Sequence, residues 1–354
     1  MRRLLAPLVI VVIIGTLSIF QREVLSDTWD RLTHLSLLAL LPLGIAALLM
    51  VLARATFLAA CSPGLRLRNA VVADQTALAA GYGIVLGGGA VGTGLRIHMF
   101  TKWGIPHLTI ASSIIATAVV PSFTTWGFPN LLLIGPVLTG SARPEQTLAV
   151  TVGVPLILFS ALFWWAALRT STVFAFVGRF TAYLRSLLLR RTPSRFHGFR
   201  AIVQRTQPLN FSVEMRTELV KLLRRRGLII LLASVGTLAA GFNCLWISAT
   251  IFQVEGLTFH EALVAFSLIR VVIALSPIPG GTGLAELGLV ALLENAGVST
   301  LDATGTTILY RFVTWFVPIV VGTACWWRYN RQNNMVAVRL PAQVQILFAA
   351  GTKD

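Results

Sequence analysis

Residues 274–293 read ALSPIPGGTGLAELGLVALL, an apolar run cut by Pro277, Pro279, Gly280, Gly281 and Gly283, with Glu286 one turn further on. In hydrocarbon each unpaired backbone group costs several kcal/mol, so a broken segment survives at membrane depth only where protein or a water-filled cavity surrounds it. The run therefore predicts a helix, a break and a second short helix, folded back inside a protein large enough to enclose them.

The rest of the chain supplies that enclosure. Of 354 residues 56% are hydrophobic and 12% charged, with a mean hydropathy of +0.79. A soluble domain is about half apolar and about a quarter charged, so the missing charge argues for a polytopic all-α membrane protein. Spans of about 20 apolar residues fall at 4–20, 35–60, 70–91, 147–168, 228–253, 258–276 and 306–327. Pro121 and Pro129 interrupt 108–140, which reads as two spans or a broken hairpin, and 283–297 reads as partly inserted. About eight transmembrane helices result. The charged, apolar start resembles a secretory signal, yet no small-x-small cleavage site follows it, and an uncleaved first span is expected.

The charge is unevenly placed. Residues 169–226 hold thirteen Arg and Lys against Glu214 and Glu218, a net +11. Basic loops mark the cytoplasmic side, as do Arg2, Arg3, Arg66, Arg68, Arg328, Arg331 and Arg339. Trp164 and Trp165 near Arg169, and Trp326 and Trp327 before Arg328, read as one interfacial aromatic belt. The expected layout is a cytoplasmic (inner) membrane protein with both termini cytoplasmic and an even number of crossings. It has a first membrane half at 1–168, a basic loop at 169–226, a second half at 227–327 and a tail at 328–354. Phe174, Val177, Phe180, Leu184 and Leu187 recur at helical spacing among arginines, as in an amphipathic helix on anionic lipid; an extension of the preceding span is the other reading. The net +16 and pI near 11.4 are ascribed to that lipid surface, with no nucleic-acid partner expected.

Gly92-Thr93-Gly94-Leu95 recurs as Gly281-Thr282-Gly283-Leu284. Each copy follows a long apolar run and more glycines, and paired Gly/Pro-broken segments in two halves point to a transporter's midplane site. Gly87, Gly89 and Gly92 also match a dinucleotide fingerprint, but without a βαβ setting. The better account is a break whose half-helix turns free N–H groups and a positive dipole end toward an anion such as phosphate. Gly89, Gly92, Gly94, Pro279, Gly280, Gly281 and Gly283 are the predicted hinge residues.

Ionisable residues inside apolar segments are the second clue: Arg54, Asp74, Arg96, Arg270, Glu286 and Arg311. Each costs about 2.5–3.5 kcal/mol to insert even on the lenient scale, so each needs a partner or water. Internal ion pairs, Arg270 with Glu286 or Asp74 with an arginine, stand beside direct substrate contact as readings. As a set, Arg96, Arg270, Arg311, Glu286 and Asp74 predict an arginine-lined polar cavity. No catalytic motif, metal-ligand spacing or cofactor motif is present, and Cys61, Cys244 and Cys325 lie far apart in or beside apolar runs. Neither catalytic residues, metal nor cofactor is expected.

SPIPGGTGLAELG and the downstream LYRFVTWFVPIVVG resemble the transmembrane flippase region of the lysylphosphatidylglycerol synthase family, the multiple peptide resistance factor and its stand-alone relatives. The second repeat carries the likeness in Pro279, Gly280, Gly281, Gly283 and Glu286, then Tyr310, Arg311, Pro318 and Gly322. In the first repeat Gly89, Gly92 and Arg96 fit, while Gly88, Ala90 and Thr93 stand where the family shows proline, arginine and glutamate. Ala285 stands where a basic residue is frequent. The resemblance implies a lipid-translocating fold of two repeats whose re-entrant hairpins meet in the membrane. The family's aminoacyl-transferring domain is not in this sequence, so lysyl-lipid synthesis is not expected.

The function expected is movement of a phosphate-containing lipid, phospholipid or isoprenoid-linked, across the membrane. Arg96, Arg270 and Arg311 would meet the phosphate, because guanidinium binds oxygens in a bidentate fork. Glu286 would hold those arginines or meet a cationic headgroup. A non-transporting partner of a lipid-modifying or glycosyl-transferring enzyme, and an ion-coupled solute transporter using Asp74 or Glu286, are the alternatives. A homo-oligomer remains open.

Overall fold

The computed structural model describes residues 33–34, 36–84, 87–140, 144–170, 208–276 and 279–337. The expected span at 4–20, the amphipathic pattern at 174–187 and the tail beyond 337 lie outside the described residues. The structure is all-helical, and the chain is a multi-pass membrane protein.

The chain begins with α1 (Leu37–Cys61), followed by α2 (Leu67–Gly83), α3 (Gly88–Lys102), α4 (His107–Leu138) and α5 (Pro144–Arg169). It continues through α6 (Pro208–Ile251), α7 (Phe259–Leu275), a 3-10 turn at Pro279–Gly281, α8 (Leu284–Asn295), α9 (Thr300–Arg311), a π-helical turn at Phe312–Phe316 and α10 (Val317–Ala337). Side chains cap several starts. Ser36 accepts from the Ala39 amide, Ser299 accepts from the Asp302 amide, and Thr258 with Glu261 forms a reciprocal capping box.

Among the described residues five helices are long and apolar enough to cross a membrane: Leu38–Cys61, His107–Leu138, Val150–Arg169, Val213–Ile251 and Thr300–Gln332. The expected spans at 70–91 and 258–276 are corrected. Their helices stop at Gly83 and Leu275, after 17 residues each, and turn back as α3 and α8. At 1.5 Å per residue these arms reach only about 26 Å, short of the ~30 Å hydrocarbon core. They form two hairpins, α2/α3 and α7/α8.

Residues 108–140 make neither two spans nor a hairpin, but one helix that carries Pro121, Pro129 and Pro136. Each proline removes an amide donor, and neighbouring side chains tie down the adjoining carbonyls. Ser122 donates to Ala118 O at 2.7 Å and Asn130 Nδ2 to Trp126 O at 2.8 Å. α6 runs unbroken across 226/227 for 44 residues, about 66 Å, so no break in the helix marks that position. Its basic stretch, Lys221 and Arg224 to Arg226, thereby extends a spanning helix.

The helices fall into two like units, α1–hairpin–α4 and α6–hairpin–α9/α10. α1 packs along α6, with Leu43, Ala46 and Met50 against Leu238, Phe242 and Leu245 in one buried cluster. Each hairpin leans on the last helix of the other unit, α2 on α10 and α7 on α4. Among the described residues three span-length helices, α4, α5 and α6, separate the hairpins in sequence. α5 stands outside the repeat, against α4.

Glycines set the closest approaches. A Cβ on Gly88 would lie 2.6 Å from Ala80 O, and one on Gly92 would collide with Ala77 O. That is how α3 lies flat on α2. On α10, Gly322 abuts the Gln75 carbonyl and accepts at its own carbonyl from Thr76 Oγ1 at 3.5 Å.

Candidate functional site

The tip of the second hairpin is held by a brace of charge and backbone. Gly280, Gly281 and Gly283 have φ of 65°, 65° and 84°, the left-handed region that glycine enters without steric cost. Glu286, in the first turn of α8, accepts from the Gly283 amide at Oε2, 2.7 Å, and from Arg311 Nε at Oε1, 2.7 Å. Arg311 Nη2 then donates to Gly280 O at 2.9 Å. One ion pair thus fixes both ends of the broken segment, using charge-assisted hydrogen bonds. Arg311 is the last α-helical residue before the π-helical turn, a feature frequent at functional sites.

The first hairpin is held differently. Asp74, 4% exposed on α2, accepts from Arg54 Nε at 2.9 Å and pairs with Arg96 Nη2 at 3.5 Å. Gln75 adds a bond to the same carboxylate at 3.3 Å. One carboxylate therefore serves two guanidinium groups, one from α1 and one from α3. Gly87, with φ 79°, turns this tip, and Ala90, the third residue of α3, stands where Glu286 stands in α8.

Between the tips lies a cavity of about 200 Å³, far above the ~10–15 Å³ that one water needs. It is lined by Arg54, Arg270 and Arg311, by Tyr82 and Tyr310, and by the Gly280 backbone, together with threonines of α4, α6 and the π-helical turn. The tips meet at its edge, where a Cβ on Gly280 would lie 3.1 Å from Tyr82 Cδ1. Arg270 has neither an ion pair nor a hydrogen bond among the described residues. Its Nε is buried without an acceptor, and its guanidinium lies 5.7 Å from the Phe266 ring centre. A buried, uncompensated guanidinium is costly unless an anion or water meets it.

Several expectations are relocated. Glu286 pairs with Arg311, not Arg270, and both its oxygens are committed within the protein. Arg96 joins Asp74 and does not line the cavity; Arg54 takes that place. At the α8 start the Gly283 amide is taken by Glu286, so that donor is not open to an anion. Gly89, Gly92 and Gly94 lie inside α3, so they are not at the break. The matching GTGL stretches are therefore out of register in space, and Gly87 caps α3 as Gly283 caps α8. Arg54 was legible as a charge inside a span and Tyr310 only through the family likeness; Tyr82 carried no signal in the sequence.

Two cations lie on tryptophans: Arg169 is 4.9 Å from the Trp165 ring centre and Arg331 is 3.7 Å from that of Trp327. Such pairs suit the membrane–water boundary. Compared with known proteins, residues 4–322 match the lysylphosphatidylglycerol synthase TM region family. No curated protein and no solved structure matches.

Proposed function

We propose that this chain, which belongs to the lysylphosphatidylglycerol synthase TM region family, moves a phosphate-containing lipid across the cytoplasmic membrane. The family makes it a membrane protein of lipid handling; transport, and the phosphate as the recognised group, are our reading. The observation that carries it is Arg270, whose Nε is buried and which has no protein acceptor among the described residues, in a cavity shared with Arg54 and Arg311. The headgroup would cross through this hollow while the acyl chains stay in the bilayer. Two hairpins whose tips meet at the cavity edge supply the two gates that alternating access requires.

The layout favours both termini on the cytoplasmic side. Five crossings among the described residues become six with the span expected at 4–20, an even number. Lys221 and Arg224 to Arg226, at the inner end of α6, would face the anionic leaflet. The ion-coupled alternative loses support because Asp74 and Glu286, its candidate carriers, are both held by arginine.

Labelled phospholipid in reconstituted vesicles tests the proposal. Arg311→Ala and Glu286→Gln each weaken the brace, and each should slow transbilayer movement at least about tenfold, the effect of losing one interaction of about 1.4 kcal/mol. Wild-type rates in both variants would remove the site from the account.

A further inference from the structure

Resting on that reading, we infer that the cavity selects lipids whose headgroup carries net negative charge and rejects those bearing an ammonium group. The cavity and its supports carry a surplus of positive charge. Four guanidinium groups, from Arg54, Arg96, Arg270 and Arg311, stand against two carboxylates, Asp74 and Glu286. Neither carboxylate lines the hollow, whereas three of the guanidinium groups do.

Both carboxylates, which lie outside the hollow, are already engaged by protein donors. Asp74 receives Arg54 at both oxygens, at 2.9 and 3.4 Å, with Arg96 Nη2 3.5 Å from Oδ1. Glu286 uses one oxygen for Arg311 and the other for the Gly283 amide. An incoming ammonium would need at least one anion to replace its water, because an unpaired charge at this depth is the costly case. What remains for it are neutral oxygens. Thr237 and Thr314 donate their hydroxyl hydrogens to Ser234 O and Tyr310 O and so offer lone pairs. The Gly280 carbonyl already accepts from Arg311.

For an anion the balance reverses. Arg270 is without a protein acceptor, and Arg311 Nη1 is likewise free among the described residues, since Nε and Nη2 take its two bonds. A phosphate oxygen between them accepts charge-assisted hydrogen bonds from donors that otherwise have none. A lipid with a phosphate and a neutral polar headgroup matches both the surplus of donors and the lack of anions. Esterifying that headgroup with lysine places two ammonium groups against the arginines, and like charges brought together cost several kcal/mol.

The experiment titrates the purified full chain with a soluble short-chain phosphatidylglycerol, with its lysyl ester and with inorganic phosphate, and follows the binding of each. Phosphatidylglycerol should bind at least about tenfold more tightly than the lysyl ester. Arg270→Gln should abolish that preference, Arg270→Lys should keep part of it, and Lys221→Gln on the exposed face of α6 should leave it intact. Correct folding of each variant is checked by a monodisperse elution profile. Equal or tighter binding of the lysyl ester overturns the inference, as does an undiminished preference in well-folded Arg270→Gln. Inorganic phosphate binding as tightly as the lipid also overturns it, since the site would then read a free oxyanion. Transbilayer assays separate the two levels. A lysyl preference with active transport sinks this inference alone, and no movement of any lipid sinks the proposed function.

Discussion

Asp74→Ala is expected to destabilise the chain by about 3–5 kcal/mol, the cost of breaking a buried ion pair and leaving the opposite charge uncompensated. The effect belongs at the top of that range because two cations depend on this residue. Arg54 reaches it from α1 and Arg96 from α3, so one truncation strands both. Arg96 Nε is already buried without an acceptor. Desolvation then acts against guanidinium groups that cannot shed their proton at accessible pH. Unfolding of the detergent-solubilised protein measures the change. Replacing Asp74, Arg54 and Arg96 together by apolar residues of similar volume should restore most of the loss. A single Asp74→Ala variant within about 0.5 kcal/mol of wild type, the range of an ordinary surface substitution, contradicts the role given to this cluster.

Locking the hairpin tips together is expected to stop transport outright. The Gly280 and Tyr82 positions are close enough for a short cross-link, because a Cβ on Gly280 would lie 3.1 Å from Tyr82 Cδ1. Tyr82→Cys with Gly280→Cys, in a Cys325→Ser background, provides the pair; Cys61 and Cys244 are buried. Oxidised, the pair should bring lipid movement down to the rate of protein-free vesicles. Reduction should return it to the rate of the same double variant before oxidation, which cancels the strain of a side chain at the Gly280 φ of 65°. Transport that continues through a fully formed cross-link would mean that the lipid takes another route.

The sequence made the second break legible, because Gly and Pro inside an apolar run have few outcomes in hydrocarbon; the first it placed a few residues late, at Gly89, Gly92 and Gly94, where the chain turns at Gly87. It also made the charged residues legible as a set, since each is costly alone. Partner choice was not legible. Whether Glu286 faces Arg270 or Arg311 depends on how α7, α8 and α9 are rotated about their axes, and tertiary packing sets that. The same holds for Arg96, expected at the phosphate but paired with Asp74, while Arg54, given no role of its own, both pairs with Asp74 and lines the cavity. Pro121 and Pro129 misled, since α4 runs through both. Side chains next to Pro121 and Pro129, those of Ser122 and Asn130, bond carbonyls one turn back, and the helix continues through all three prolines. The GTGL repeat was real as a string but served packing in α3 and breakage before α8, so its register did not carry over.

The most direct test is the position of bound lipid in the full chain, determined in a phospholipid bilayer disc at a resolution that shows headgroups. The account predicts a phosphate within hydrogen-bond distance, about 2.7–3.2 Å, of the Arg270 guanidinium, with Arg311 as second donor and Asp74 and Glu286 still paired to their arginines. Arg270 bonded to a protein group, with the space between Tyr82 and Gly280 closed and headgroups confined to the outer surface, would contradict it.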